Sequence, residues 1–147
     1  MLFAIVLWQD SNCFGQTFKV RLLDVRNARP IADEPIKVSF HIPQTPELQT
    51  VEEKTDKDGV ANFVLPTPAP EQISVLDVQL YPCYSRALLK TQEIFEQGMV
   101  SRCSKPFQAC HCHLGKQVAN LQKTPGELVL LARPIPMTEK VLSHVWE

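Results

Sequence analysis

Residues 35–66 constrain the fold more than any other stretch of this chain. From Pro35 to Ile42 the residues alternate strictly, with Ile36, Val38, Phe40 and Ile42 on one side and Lys37, Ser39 and His41 on the other. A period of two belongs to a strand with one buried face and one wet face. A polar connection leads to Thr55-Asp56-Lys57-Asp58-Gly59, and then Ala61, Phe63 and Leu65 alternate again up to Pro66. Asp58-Gly59 supplies the positive φ of a tight turn, and the Asp56 side chain can accept from the backbone ahead of it. The stretch predicts two strands of an antiparallel β domain.

These residues also carry a resemblance. A proline-led alternating strand followed by Thr55, Asp56, Gly59, Ala61, Phe63, Leu65 and Pro66 resembles the carboxypeptidase regulatory-like family of transthyretin-type β-sandwiches. The match covers about a third of the chain, and such motifs recur in many sandwiches. The family often has Gly two residues before the leading proline, where this chain has Asp33. The resemblance implies a non-catalytic accessory or binding module, with protein or carbohydrate partners held through loops. The transthyretin fold also hosts a hydrolase of hydroxyisourate, whose chains end in Tyr-Arg-Gly-Ser. This chain ends Ser143-His144-Val145-Trp146-Glu147, which removes that catalytic reading.

Elsewhere the pattern remains that of a β domain. Residues 18–25 and 127–133 read as strands, the latter continuously apolar from Leu128 to Ala132 and so central and covered on both faces. An edge strand is expected around Val51. Residues 73–80 alternate but slip phase between Val75 and Leu76, which predicts a bulge. Thr91 to Gly98 predicts one helical turn with Thr91 as N-cap and Gly98 as left-handed stop. Thr138 begins a short C-terminal helix in which Val141, Leu142, Val145 and Trp146 share a side. Twelve prolines against five glycines fit stiff loops and edges rather than helices. The fold class is therefore an all-β, immunoglobulin-like or transthyretin-like antiparallel sandwich of about seven strands with a helical turn and a C-terminal helix.

Residues 1–8 are wholly apolar, far short of the roughly 20 residues that span a bilayer. They read either as the remnant of a signal peptide lacking its basic start or as a buried first strand. Eight unbroken apolar residues fit a solvated sandwich edge poorly, which favours the remnant. That reading divides the chain into a leader at 1–15 and one sandwich domain at 16–147, exported to a periplasmic or extracellular space. A net charge of -1 gives no pull toward nucleic acid or anionic membrane.

Reactive side chains concentrate in Cys103, Cys110, His111, Cys112 and His113. Thiolates and imidazoles are zinc and copper ligands, so a small metal- or redox-active protein is the alternative reading. The spacing opposes it. One residue separates Cys110 from Cys112, and on an extended chain the sulfurs and imidazoles point to opposite sides. No cofactor is expected. The structural reading pairs Cys83 with Cys103 in a disulfide that closes the irregular excursion between them, contributing about 3 kcal/mol on a chain-entropy account. His41 on its polar face reads as solvated. Asp56 and Asp58 read as turn residues because the later acidic ligands of a calcium loop are missing.

Overall fold

A computed structural model describes residues 15–77, 80–84, 87–101 and 115–135. Within them nine strands form two facing sheets. In the first, β1 (Gln16–Asp24) lies between β4 (Val60–Leu65) and β9 (Glu127–Arg133). The far edge of β9 is shared: β8 (Met99–Ser101) pairs its first half and β6 (Tyr81–Pro82) its end. This sheet is therefore four strands wide. In the second, the order is β3 (Leu48–Lys54), β2 (Pro35–His41), β5 (Gln72–Asp77), β7 (Leu89–Lys90). A turn of helix, α1 (Thr91–Glu96), follows β7, and a second, α2 (Lys116–Ala119), precedes β9.

The alternation read from the sequence does its work between the sheets. Phe18, Val20 and Leu22 of β1, Ile36, Val38 and Phe40 of β2, and Ala61, Phe63 and Leu65 of β4 meet Leu128, Leu130 and Ala132 of β9 in one core. Phe18 stacks on Phe63 with centroids 5.6 Å apart and meets Phe95 edge-on at 6.2 Å. Such aromatic pairs add about 0.5–1.5 kcal/mol each beyond the area they bury. The other side of β9 explains its unbroken apolar run. Val129 and Leu131 join Leu23, Val25, Cys83 and Val118 in a second cluster, so α2 and the Cys83 region cover the outer face of this sheet.

The motif of residues 55–59 locks the turn into β2. The Thr55 hydroxyl donates to the Ile31 carbonyl at 2.8 Å and accepts the Glu34 N–H at 3.0 Å. Asp56 Oδ1 accepts the N–H groups of Asp58 (2.8 Å) and Val60 (3.0 Å). Gly59, at φ 72°, places its carbonyl to accept from Leu22 N at 2.8 Å, and a Cβ there would press on the Leu22 carbonyl. Asp33 stands at φ 58°, a left-handed backbone that glycine adopts most easily. On the parallel β1–β9 ladder, Arg21 Nη2 donates to Glu127 Oε2 at 3.1 Å, while Arg21 Nε sits 3.1 Å from Oε1.

Several expectations need correction. Among the described residues the strands number nine, not about seven, because the short β6, β7 and β8 carry too little pattern to be seen. The sandwich is mixed rather than antiparallel, since β1 and β8 both run parallel to β9. No bulge separates Val75 from Leu76: the pairing Val38↔Val75, Lys37↔Leu76, Ile36↔Asp77 is continuous, so Leu76 simply faces outward. The strand expected over 73–80 ends at Asp77 as β5, and Tyr81–Pro82, which follow it, form β6 in the other sheet. Thr91 is not the N-cap. Lys90 occupies that position without a side-chain cap, and the buried Thr91 hydroxyl has no partner among the described residues. Gly98 does stop α1, at φ 75°. The expected helix at 138–146 and the apolar residues 1–8 lie outside the described residues. No described helix is long and apolar enough to cross a membrane.

Candidate binding groove

The two sheets differ in how completely their ladders close. β2 pairs β3 along its whole length, ending at His41↔Leu48. Its ladder with β5 stops two residues earlier, at Ser39↔Ser74. Past that point β5 turns to β7 instead, through Gln72↔Lys90 and Ile73↔Leu89. The sheet therefore opens between residues 40–41 on one side and 72–73 on the other. Prolines bound the opening on its far side: Pro43 follows β2, and Pro66, Pro68 and Pro70 precede β5. Without N–H groups they cannot extend the ladder.

The opening forms a groove of about 340 Å³ on the outer face of the sheet, near the lower end of ligand-pocket sizes. Ser39, His41, Ile42, Glu71, Gln72 and Ser74 are among the residues that line it. Leu48 and Leu88 flank it, and both are unusually exposed for leucine, 60% and 62%. Beyond the vertex the same face is polar and internally paired. Ser39 and Thr50 share a hydrogen bond of 2.8 Å, and Lys37 Nζ lies 3.5 Å from Glu52 Oε2.

The sequence marked His41 as solvated, and its side chain is exposed, but it also lines this groove. Leu48, Leu88 and Glu71 were missed. One signal was available: in the extended pair Leu88-Leu89 only one side chain can face the core. Leu89 takes it, and Leu88 is left outside.

The other candidate residues lie elsewhere or beyond description. Cys83 is buried in the cluster beneath α2, its N–H donating to the Leu131 carbonyl at 2.9 Å. Its expected partner Cys103, and with it Cys110, His111, Cys112 and His113, lie outside the described residues. Among the described residues no three His, Cys, Asp or Glu side chains gather as a metal site would need. Two carboxylates among the described residues, Asp56 and Asp24, are perturbed by the turns they serve. Hydrogen bonds from the Val60 and Asp58 N–H groups hold Asp56 below the usual carboxylate range. The Arg26 side chain does the same for Asp24, donating from Nε at 3.0 Å and from Nη2 at 2.7 Å. No family model, curated protein or solved structure matches the chain.

Proposed function

We propose that this protein is a non-catalytic accessory module of the transthyretin-like, carboxypeptidase regulatory-like type, exported from the cell and binding a partner at the groove between β2 and β5. The groove carries the reading. It joins exposed apolar side chains to polar groups on a rigid sheet, the mixture typical of binding sites. Two details support the family. Asp33 holds the left-handed backbone at the position where the family often has glycine. The pairing of β1 with β4 and β9, rather than with β2, departs from the immunoglobulin order, in which the first two strands share a sheet. That favours the transthyretin-like alternative.

Export and the Cys83–Cys103 disulfide belong to the same proposal, since such a bridge persists in an oxidising compartment. The register favours it. Ser101 pairs Leu130, while Cys83 hydrogen-bonds to the adjacent Leu131 from the same edge of β9. Cys103 follows Ser101 by two residues, a reach of about 7 Å.

The test is a photocrosslinking amino acid placed at position 48 or 88 in cells of the source organism, with position 64 as control. Val64 is equally exposed, at 61%, but lies on β4 in the opposite sheet. Adducts at 48 and 88 that disappear when Ser74→Arg fills the groove support the reading. Equal labelling at position 64, or none at 48 and 88, overturns it.

A further inference from the structure

We propose that the protein pairs with a second copy of itself through β4, edge to edge and antiparallel, extending the first sheet across a two-fold axis. β4 is an outer strand of that sheet, the one opposite the groove, and among the described residues it pairs only with β1. Four hydrogen bonds fix which way its backbone groups point. Leu22 N donates to the Gly59 carbonyl at 2.8 Å, so that carbonyl faces β1. Lys19 N donates to the Gly126 carbonyl on the β9 side, which turns Phe18 and Val20 toward β4. Asp56 N donates to the Val60 carbonyl at 2.9 Å and Val60 N donates to Asp56 Oδ1 at 3.0 Å, so Val60 faces away from β1. The alternation of an antiparallel ladder then gives Ala61, Phe63 and Leu65 to β1 and turns the N–H and C=O of Asn62 and Val64 outward. No described residue takes up those outward groups.

The other edges are guarded and this one is not. β3, the long edge of the second sheet, carries Glu52, Glu53 and Lys54, and β6, β7 and β8 are only two or three residues long. Charge and brevity are among the ways in which sheet edges are kept from pairing. β4 has neither. Its residues, Val60–Leu65, hold no charge and pair β1 without a bulge, and Val64 is exposed. A second copy fits this edge symmetrically. With the two Phe63 residues opposite each other at the axis, Asn62 of each copy faces Val64 of the other, and every outward N–H and C=O of these residues is used. The ladder also ends itself. Pro66 has no N–H to continue it, and at the other end the groups of Val60 are already held by Asp56. An uncharged strand meets its own copy without like-charge repulsion, and the same patch serves both sides, as a two-fold interface requires. A contact of one short strand from each copy belongs with the small interfaces, below about 1,200 Å², so the dimer is weak and reversible.

Sedimentation velocity of the full chain over about 5–500 µM, a range that brackets weak dimers, tests the pairing together with amide exchange on the same samples. The average mass is expected to rise from one chain toward two. Exchange at Asn62 and Val64 is expected to slow with concentration, while Ala61 and Phe63, bonded to β1, stay protected throughout. Asn62→Lys and Val64→Glu, both surface changes, are each expected to weaken the dimer about fivefold, because two copies then set like charges diagonally across the axis. Mixed in equal amounts the two variants are expected to recover pairing, since the introduced lysine faces the introduced glutamate. No folding defect mimics that recovery. A monomer at every concentration, a dimer indifferent to both variants, or variants that fail to recover on mixing overturns the proposal. So does slow exchange at Asn62 and Val64 in a monomer, which assigns the edge to another part of the same chain. A photocrosslinker at position 64 joins two copies, an adduct of twice the chain's mass that is set apart from a foreign partner's when that position serves as control.

Discussion

Replacing Thr55 with valine isolates the contribution of one hydroxyl to the fold. The two side chains have nearly the same shape, so no cavity opens at this buried site, 4% exposed. What disappears is a pair of hydrogen bonds, one donated to the Ile31 carbonyl and one accepted from the Glu34 N–H. Their costs differ. Ile31 is only half-buried, so its carbonyl recovers water, whereas the bond from the Glu34 N–H is buried. An unsatisfied buried backbone group costs about 1–3 kcal/mol. Less a few tenths for the extra methyl, Thr55→Val should destabilise by about 2 kcal/mol. For a domain of this size that lowers Tm by about 4–8 °C. Thr55→Ser keeps the hydroxyl and loses a methyl group, so it should cost about 1 kcal/mol. Urea and thermal unfolding followed by circular dichroism measure both, with an unchanged m value expected. A valine variant within about 0.5 kcal/mol of the parent, or a serine variant less stable than the valine, would refute the assignment.

Four further outcomes are expected. Asp33→Gly should leave stability within about 0.5 kcal/mol, left-handed relief and added unfolded-state entropy offsetting, while Asp33→Val should cost about 1–2 kcal/mol in the same unfolding assay. Gly98→Ala combines a left-handed backbone with a collision against the Thr124 carbonyl, so it should cost about 3 kcal/mol or more and loosen the docking of α1 on the turn before β9. Asp24 and Asp56 titrate lower folded than unfolded, so the unfolded chain binds more protons near pH 3–4, and stability should fall as pH drops through that window. Asp56→Asn, which keeps an accepting oxygen, should flatten part of that slope. Finally, intact mass measured without reductant should be lower than the reduced mass by about 2 Da per bridge, with Cys83 and Cys103 in one linked peptide. Stoichiometric zinc or copper with all thiols reduced would instead favour the alternative centre at Cys103, Cys110, His111, Cys112 and His113.

Long strands with one wet face were legible because their side-chain period is intrinsic to the chain. β1, β2, β4 and β9 were each placed within two residues at either end, and even the weak edge strand β3 was found around Val51. Pairing partners were not legible. Nothing in the residues 127–133 says that they run parallel to β1, because direction depends on where the intervening chain crosses. Two- and three-residue strands such as β6 and β8 escape for a different reason: they exist only because β9 offers them an edge. The phase slip at Val75 was misread for a related reason. A bulge and an outward-facing leucine leave the same signature in sequence, and the β2 ladder alone distinguishes them. The groove was invisible at that level, since it arises where two ladders end at different residues.

The position of β9 has a consequence for how the protein is made. The strand at the centre of the first sheet is the last of the described strands to be synthesised, and it joins β1, more than a hundred residues earlier, to β8 and β6. Until residue 133 emerges, β1 and β8 both present bare edges and the inner faces of the sandwich have no common wall. Synthesis proceeds at about 5–20 residues per second, so this state lasts for seconds at least. Closing such distant contacts is also intrinsically slow. A nascent chain of this design stays loosely structured until β9 is available. The exposed edges of that state make it a substrate for holding chaperones.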